Sequence, residues 1–280
     1  MRTTLNATQR DALTCAETLQ DVLGTLEALD DLGPSPHVDA TFGRLVRTVV
    51  ETPERLADAV LDRLEPARFR RISGLGEHAL ETAWAERIRS GTRLAAFPYR
   101  DNYEHLSALE AGLLRRTGPA SSVAFLGAGP LPLSAVLLAR RLGAAVTGLD
   151  RDAAAVADAR AIAPHLLAQR PPRARGAGPG GAGVTFEEAD AYDADLTAYD
   201  TVVVAALVGE SADDKRRLLD HLAAATRPGT VVLVRSARGL RTLLYPAVPL
   251  DALRGFEVLD VVHPTDDVIN SVVVARRKSS

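Results

Sequence analysis

At 280 residues, read against a prior of ~150 residues per domain, the chain fits one large domain or one domain with a smaller companion. Hydrophobic residues (46%) and charged residues (25%) suit a packed globular core, while 33 Lys plus Arg against 36 Asp plus Glu leave a formal charge of −3 that argues against a nucleic-acid or anionic-membrane surface. The lone cysteine, Cys15, excludes an intramolecular disulfide and a cysteine-rich metal site; Met1–Asn6 lacks the apolar core of a signal peptide and no run approaches a bilayer span, so a cytoplasmic protein is expected.

Through Thr117 the apolar periods are helical. Leu19, Val22, Leu23, Leu26 and Leu29 form one stripe, and Gly33-Pro34-Ser35-Pro36 breaks the chain after it. Phe42, Leu45, Val46, Val49 and Val50 predict a second helix, and Pro53 opens a third carrying Leu56, Val60, Leu61 and Leu64. A fourth runs through Glu77–Trp84, and a fifth, with Leu106, Leu109, Leu113 and Leu114, ends at Thr117-Gly118-Pro119. From Ser122 the pattern changes. Short apolar runs at 122–126, 145–149, 184–187, 201–205 and 230–234 predict strands alternating with helices, the signature of a parallel sheet covered on both faces. Runs at 256–262 and 270–275 lack a helix between them and predict an antiparallel hairpin at the sheet edge. Five βα units and a hairpin give an α/β class: the layout of a Rossmann-like methyltransferase-type domain at 118–280, preceded by an all-helical domain at 1–117. The Arg/Pro/Gly-rich stretch 170–182 reads as a disordered surface loop, its three arginines available to an anion.

Val123–Leu133 is a strand, a glycine turn and a helix start. Gly127 permits the tight turn and Gly129 lets backbone approach a ligand, but Pro132 stands where a dinucleotide fingerprint has its third glycine. Pro130 and Pro132 remove two N–H donors that a pyrophosphate would want. A nucleoside without phosphates therefore fits, with Pro130 and Leu131 beside it, and S-adenosylmethionine (SAM) is the common ligand of that description, which makes the domain at 118–280 a SAM-dependent methyltransferase-type one. Asp150 ends the next strand, placed for ribose hydroxyls, and Asp190 with Ala191 follows the third, placed for adenine. Ala205 closes the fourth strand and completes the expected SAM contacts.

Phe-Pro-Tyr-Arg-Asp-Asn-Tyr at 97–103, the glycine turn 125–133, Ala-Ala-Leu-Val-Gly at 205–209, Arg-Ser-Ala-Arg-Gly-Leu-Arg at 235–241 and the block His263–Val272 resemble the nicotianamine synthase family. Ser35–Asp39 and Leu45-Val46 look like its N-terminal helices, so the resemblance runs from about residue 34 to the end. It implies transfer of the 3-amino-3-carboxypropyl group of SAM to an amine, with methylthioadenosine released, in a cavity between the helical region and the Rossmann-like domain. In this family plant members condense three SAM molecules into nicotianamine, a metal chelator. Bacterial relatives transfer once to an amino acid such as histidine, toward metallophores, and distant ones cyclise the group to azetidine-2-carboxylate. No bound metal is implied, and a homodimer is left open.

For this transfer the amine must reach the methionine Cγ in line with the C–S bond, and it must be neutral. Glu77 and Glu81 lie one helical turn apart, and either matches the family's glutamate; Glu77 is the first choice as base. Pairing with Arg71 or Arg87 is the ordinary alternative for both. Tyr103 would hydrogen-bond the substrate amine or carboxylate, and Tyr99 would form a cavity wall unless it is a packing turn. Arg235, at the end of the fifth strand, would clamp a substrate carboxylate, or else form a buried ion pair in the sheet. His263-Pro264 reads as a turn and Asn270-Ser271 as strand-end hydrogen bonding. An ordinary methyltransferase and a catalytically silent SAM-binding regulator are the competing readings.

Overall fold

Asn6 starts the first helix with a capping box: its side chain accepts from the Gln9 backbone N–H, and Gln9 reaches back to the Asn6 backbone. The computed structural model describes residues 6–118, 120–169, 183–265 and 268–279. The stretch 170–182, Met1–Leu5 of the signal-peptide reading and Asp266-Asp267 of the 263–272 block lie outside them. The helices are α1 (Ala7–Glu27), α2 (Pro36–Glu51), the short α3 (Ala57–Leu61), α4 (Pro66–Arg89) and α5 (Arg100–Thr117). Ser35 caps α2, with Pro36 in its first turn, where a missing N–H costs nothing. The third predicted helix is split: a 3-10 turn at Glu54–Leu56 precedes α3, which ends at Leu61. Leu19, Leu26, Leu45 and Val60 bury the faces expected of them, and Phe69 of α4 joins them. They share that core with Leu240 and Leu243, from a 3-10 turn at Gly239–Leu243, so the two halves of the chain interlock.

The strands are β1 (Ser122–Leu126), β2 (Ala145–Asp150), β3 (Val184–Glu188), β4 (Thr201–Val204), β5 (Val231–Ser236), β6 (Phe256–Val262) and β7 (Ser271–Arg277). They form one sheet in the order β3-β2-β1-β4-β5-β7-β6, parallel through β5, with β7 antiparallel to β5 and β6 at the edge. This is a Rossmann-like α/β fold. Three helices, α6 (Leu133–Leu142), α7 (Ala153–Ala168) and α8 (Ala212–Ala225), interleave with the strands, fewer than five βα units require. The β3–β4 connection holds no helix: Asp190 and Asp195 each accept the backbone N–H two residues on, and such Asx turns compete with helix.

Thr117 is the last helical residue before the sheet, yet α5 packs with it. Leu106, Leu113 and Leu114 share a core with Val123, Phe125 and Leu233. Among the described residues, no helix is long and apolar enough to cross a membrane.

Candidate active site

Strand order reverses between β1 and β4, whose neighbours lie on opposite sides, and α/β sheets open a crevice at the carboxyl ends of such strands. A cavity of about 530 Å³ lies there. Gly127, Gly129, Pro130, Leu131, Asp150, Asp190, Ala191 and Ala205 all line it, so the residues read from the glycine turn and the strand ends converge in space. Gly127 and Gly129 have φ of 78° and 66°, the left-handed region. A methyl on Gly127 would lie 2.5 Å from the Val208 side chain, and one on Gly129 would lie 2.6 Å from Glu81 Oε2. Asp150 braces the turn: Oδ2 accepts from the Gly129 N–H at 2.9 Å, while Oδ1 accepts from Asp152 N. Asp190 Oδ1 accepts from Tyr192 N.

Helix α4 supplies the opposite wall. Glu77 and Glu81 project from one face, and among the described residues neither forms an ion pair with an arginine. Arg71 binds Glu27, and Arg87 stacks over Trp84. Each carboxylate instead accepts from a phenol: Tyr103 donates to Glu81 Oε1 at 2.7 Å, and Tyr245 donates to Glu77 Oε2 at 2.9 Å. Burial pushes both tyrosines well above the ordinary phenol range, so they stay protonated donors. Burial and then the neighbouring charge of Glu77 push Glu81 up to about 8. Glu77 is raised by burial, against a lowering hydrogen bond from Tyr245. Of the two acids, Glu81 stands against the glycine turn.

Arg235 is not free to clamp a substrate. β5 runs two residues past the predicted strand, so Arg235 lies inside it, opposite Val272. Its Nε donates to Glu110 Oε1 at 2.7 Å, and its Nη2 donates to Glu110 Oε2 at 3.1 Å and to Ser134 Oγ at 2.9 Å. Glu110 is 0% exposed, Arg235 8%. The ion-pair reading holds, although the guanidinium edge still reaches the cavity. Tyr99 does not line the main cavity: it is 36% exposed, packs edge-on against Phe97, and borders a smaller pocket of about 140 Å³ behind Tyr103.

Tyr245, Arg70, Asn270 and His78 are among the cavity residues that the sequence does not single out as site residues. Tyr245 follows a 3-10 turn far from Glu77 in the chain. Arg70 donates from Nη1 to Thr242 O at 3.0 Å, while its buried Nε has no partner among the described residues. Asn270 is 7% exposed, and its Nδ2 has no partner among the described residues. His78 lies on the same helix as the two glutamates. Behind the cavity, fully buried Lys215 donates to Ala206 O at 3.0 Å and Val208 O at 2.6 Å, fixing the loop after β4; burial lowers its pKa to about 7. His263 Nδ1 and Ser271 Oγ are hydrogen-bonded at 2.8 Å, away from the cavity lining. Among the described residues, no group of three or more His, Cys, Asp or Glu could hold a metal ion.

The profile of the family described as Nicotianamine synthase protein matches residues 8–280. Nicotianamine synthase 9 of Hordeum vulgare is 41% identical over 266 residues, covering 89% of this chain and 74% of the relative. The nicotianamine synthase of Solanum lycopersicum is 36% identical over 264 residues, covering 90% and 80%. Among solved structures, MtNAS in complex with MTA and tNA superposes with a TM-score of 0.75 at 22% identity, covering 99% of this chain and 100% of that one. The magnesium protoporphyrin IX methyltransferase of Synechocystis PCC 6803 with bound SAH shares the fold at a TM-score of 0.51 and 18% identity, covering 70% and 94%. By profile and by sequence identity, this chain belongs to the nicotianamine synthase family.

Proposed function

We propose that the chain is a SAM-dependent 3-amino-3-carboxypropyl transferase that forms nicotianamine or a nicotianamine-like product and releases methylthioadenosine. Membership of the family along nearly the whole chain carries this reading. The site supports it. Residues 118–280 serve as the SAM-binding domain, and residues 1–117 as the region that caps it. SAM's nucleoside lies along the glycine turn, Asp150, Asp190, Ala191 and Ala205, with its methionine arm toward Glu81. The acceptor's neutral amine attacks Cγ, the C–S bond breaks, and its electron pair leaves on sulfur as the neutral thioether. The new ammonium gives its proton to Glu81, which Tyr103 orients.

Glu81, rather than Glu77, takes the role of base because it stands against Gly129, where the SAM arm must pass. Substrate carboxylates meet the unpartnered Asn270 amide and Arg70; the Arg235 fork, engaged by Glu110, contributes its field. A product of this class carries several amines and carboxylates and would serve as a metallophore. Since SAM is an intracellular metabolite, the cytoplasm is the implied compartment.

Mass spectrometry of products from SAM alone, and from SAM with L- or D-histidine, tests the reading. Methylthioadenosine together with an aminocarboxypropylated amine is expected. Azetidine-2-carboxylate from SAM alone would make the enzyme a cyclase, and S-adenosylhomocysteine as sole nucleoside product would make it a methyltransferase.

A further inference from the structure

One proton acceptor suffices for each transfer, yet two tyrosine-bound carboxylates line the cavity. Glu81 with Tyr103 has a task in the reading above; Glu77 with Tyr245 has none. Glu77 is not a satisfied core acid. Tyr245 binds one of its oxygens, the side chain borders the cavity, and no cation lies within ion-pair distance among the described residues. Burial raises its pKa, and the Tyr245 hydrogen bond and the charge of Arg235, which is itself paired with Glu110, offset that only in part.

The spacing of the two carboxylates suggests what cation Glu77 would take. Residues four apart on a helix carry Cβ atoms ~5–6 Å apart on one face. Aminocarboxypropyl transfer generates a repeat of the same size. Each round leaves a new α-amine three carbons from the nitrogen just alkylated, and a zigzag N–C–C–C–N of bonds near ~1.5 Å spans ~5 Å. When the newest amine stands at Glu81, the preceding nitrogen, protonated as an ammonium, falls one helical turn away.

We infer that Glu77 and Tyr245 form a second-nitrogen subsite, which holds an ammonium three carbons from the amine presented to Glu81. The inference rests on the aminocarboxypropyl reading of this cavity and names its acceptor class: amino acids with a second basic nitrogen three carbons from the reacting one. Histidine belongs to that class through its Nδ1, and so does every product of a first transfer. Glu77 is thus a specificity-determining residue, favouring acceptors that can be extended.

Calorimetric titration of the enzyme saturated with methylthioadenosine tests this without turnover. The probes are 2,4-diaminobutyrate, with nitrogens three carbons apart; 2-aminobutyrate, which lacks the second nitrogen; and lysine, with nitrogens five carbons apart. Wild type is expected to bind diaminobutyrate about tenfold or more tighter than either of the others, as a charge-assisted pair would give. Glu77→Gln should reduce the preference to within about threefold, and Tyr245→Phe, which keeps the charge but frees it, should give an intermediate value. Equal binding of the three probes by wild type overturns the inference, as does a Glu77→Gln variant that weakens all three alike. If that variant does not fold, the wild-type ranking and Tyr245→Phe decide. Failure of the transferase reading is a separate result: no methylthioadenosine formed from SAM with any acceptor.

Discussion

Replacing Glu81 with Gln separates the cost of holding a carboxylate in this cavity from its use. Burial, followed by the charge of Glu77, raises its pKa from 4.5 to about 8. The native state therefore binds more protons than the unfolded state between those values. The stabilising effect is complete below 4.5 and is lost as pH rises through about 8. At ~1.36 kcal/mol per pH unit the ceiling is on the order of 5 kcal/mol, and solvent reaching the open cavity trims it to ~2–3 kcal/mol. Gln cannot ionise. Urea unfolding of ligand-free wild type and variant at about pH 5, 7 and 9 should show near parity at the acid end and an advantage of the variant at the alkaline end. Activity should move the other way, with kcat lower by ~10²–10⁴-fold. In wild type, the alkaline rise of kcat/KM should centre near 8, and the rise of kcat should lie at lower pH because bound sulfonium favours the carboxylate. Parallel stability curves across that range would refute the claim that Glu81 is held protonated in the free enzyme, and undiminished turnover would remove it as base.

Gly129→Ala forces a left-handed alanine whose methyl meets Glu81 Oε2 at 2.6 Å, so SAM affinity measured by calorimetry should fall about tenfold or more. Arg235→Met leaves buried Glu110 without its partner, at a cost of ~3–5 kcal/mol in chemical denaturation, and adding Glu110→Leu should recover most of it. Lys215→Met removes two buried hydrogen bonds and should destabilise by ~1–2 kcal/mol. Because the folded lysine titrates near 7 against 10.5 unfolded, wild-type stability from this group rises with pH in that window. The variant's deficit in urea should therefore be larger at alkaline than at neutral pH.

Much of the fold was legible because period and punctuation agree along the chain. β1 and β6 begin and end where their apolar runs do, and Ser35-Pro36 marks the start of α2. The missing helix between β3 and β4 went unread because a parallel sheet ordinarily needs a crossover helix, and only the Asx turns at Asp190 and Asp195 oppose it. The nucleoside side of the site was readable from strand ends, since a Rossmann-like ladder converts chain order into spatial order. On its other side Glu77, Glu81 and Tyr103 were legible through the family resemblance, while the groups that hold them in place were not. Glu110 did leave a signal: with Leu106, Leu113 and Leu114 it lies on the buried face of α5, where a carboxylate demands a cation, and Arg235 supplies it. Tyr245 left none, for no local period ties it to α4, and Asn270, inside a family-like block, reads from sequence as strand-end hydrogen bonding. Arg235 lies inside β5, which runs two residues past its apolar run, and it forms with Glu110 the ion pair that was the alternative to a carboxylate clamp.

The two phenols reach α4 from unrelated parts of the chain: Tyr103 is 22 positions from its carboxylate and Tyr245 is 168 positions from its own. A chimaera that exchanges the N-terminal helices between relatives would carry both acids and Tyr103 across the junction and leave Tyr245 behind. Grafts meant to alter acceptor choice therefore need to include the segment from Gly239 through Val248 with the helices. That segment also seats Leu240 and Leu243 in the helical core and receives the Arg70 hydrogen bond at Thr242.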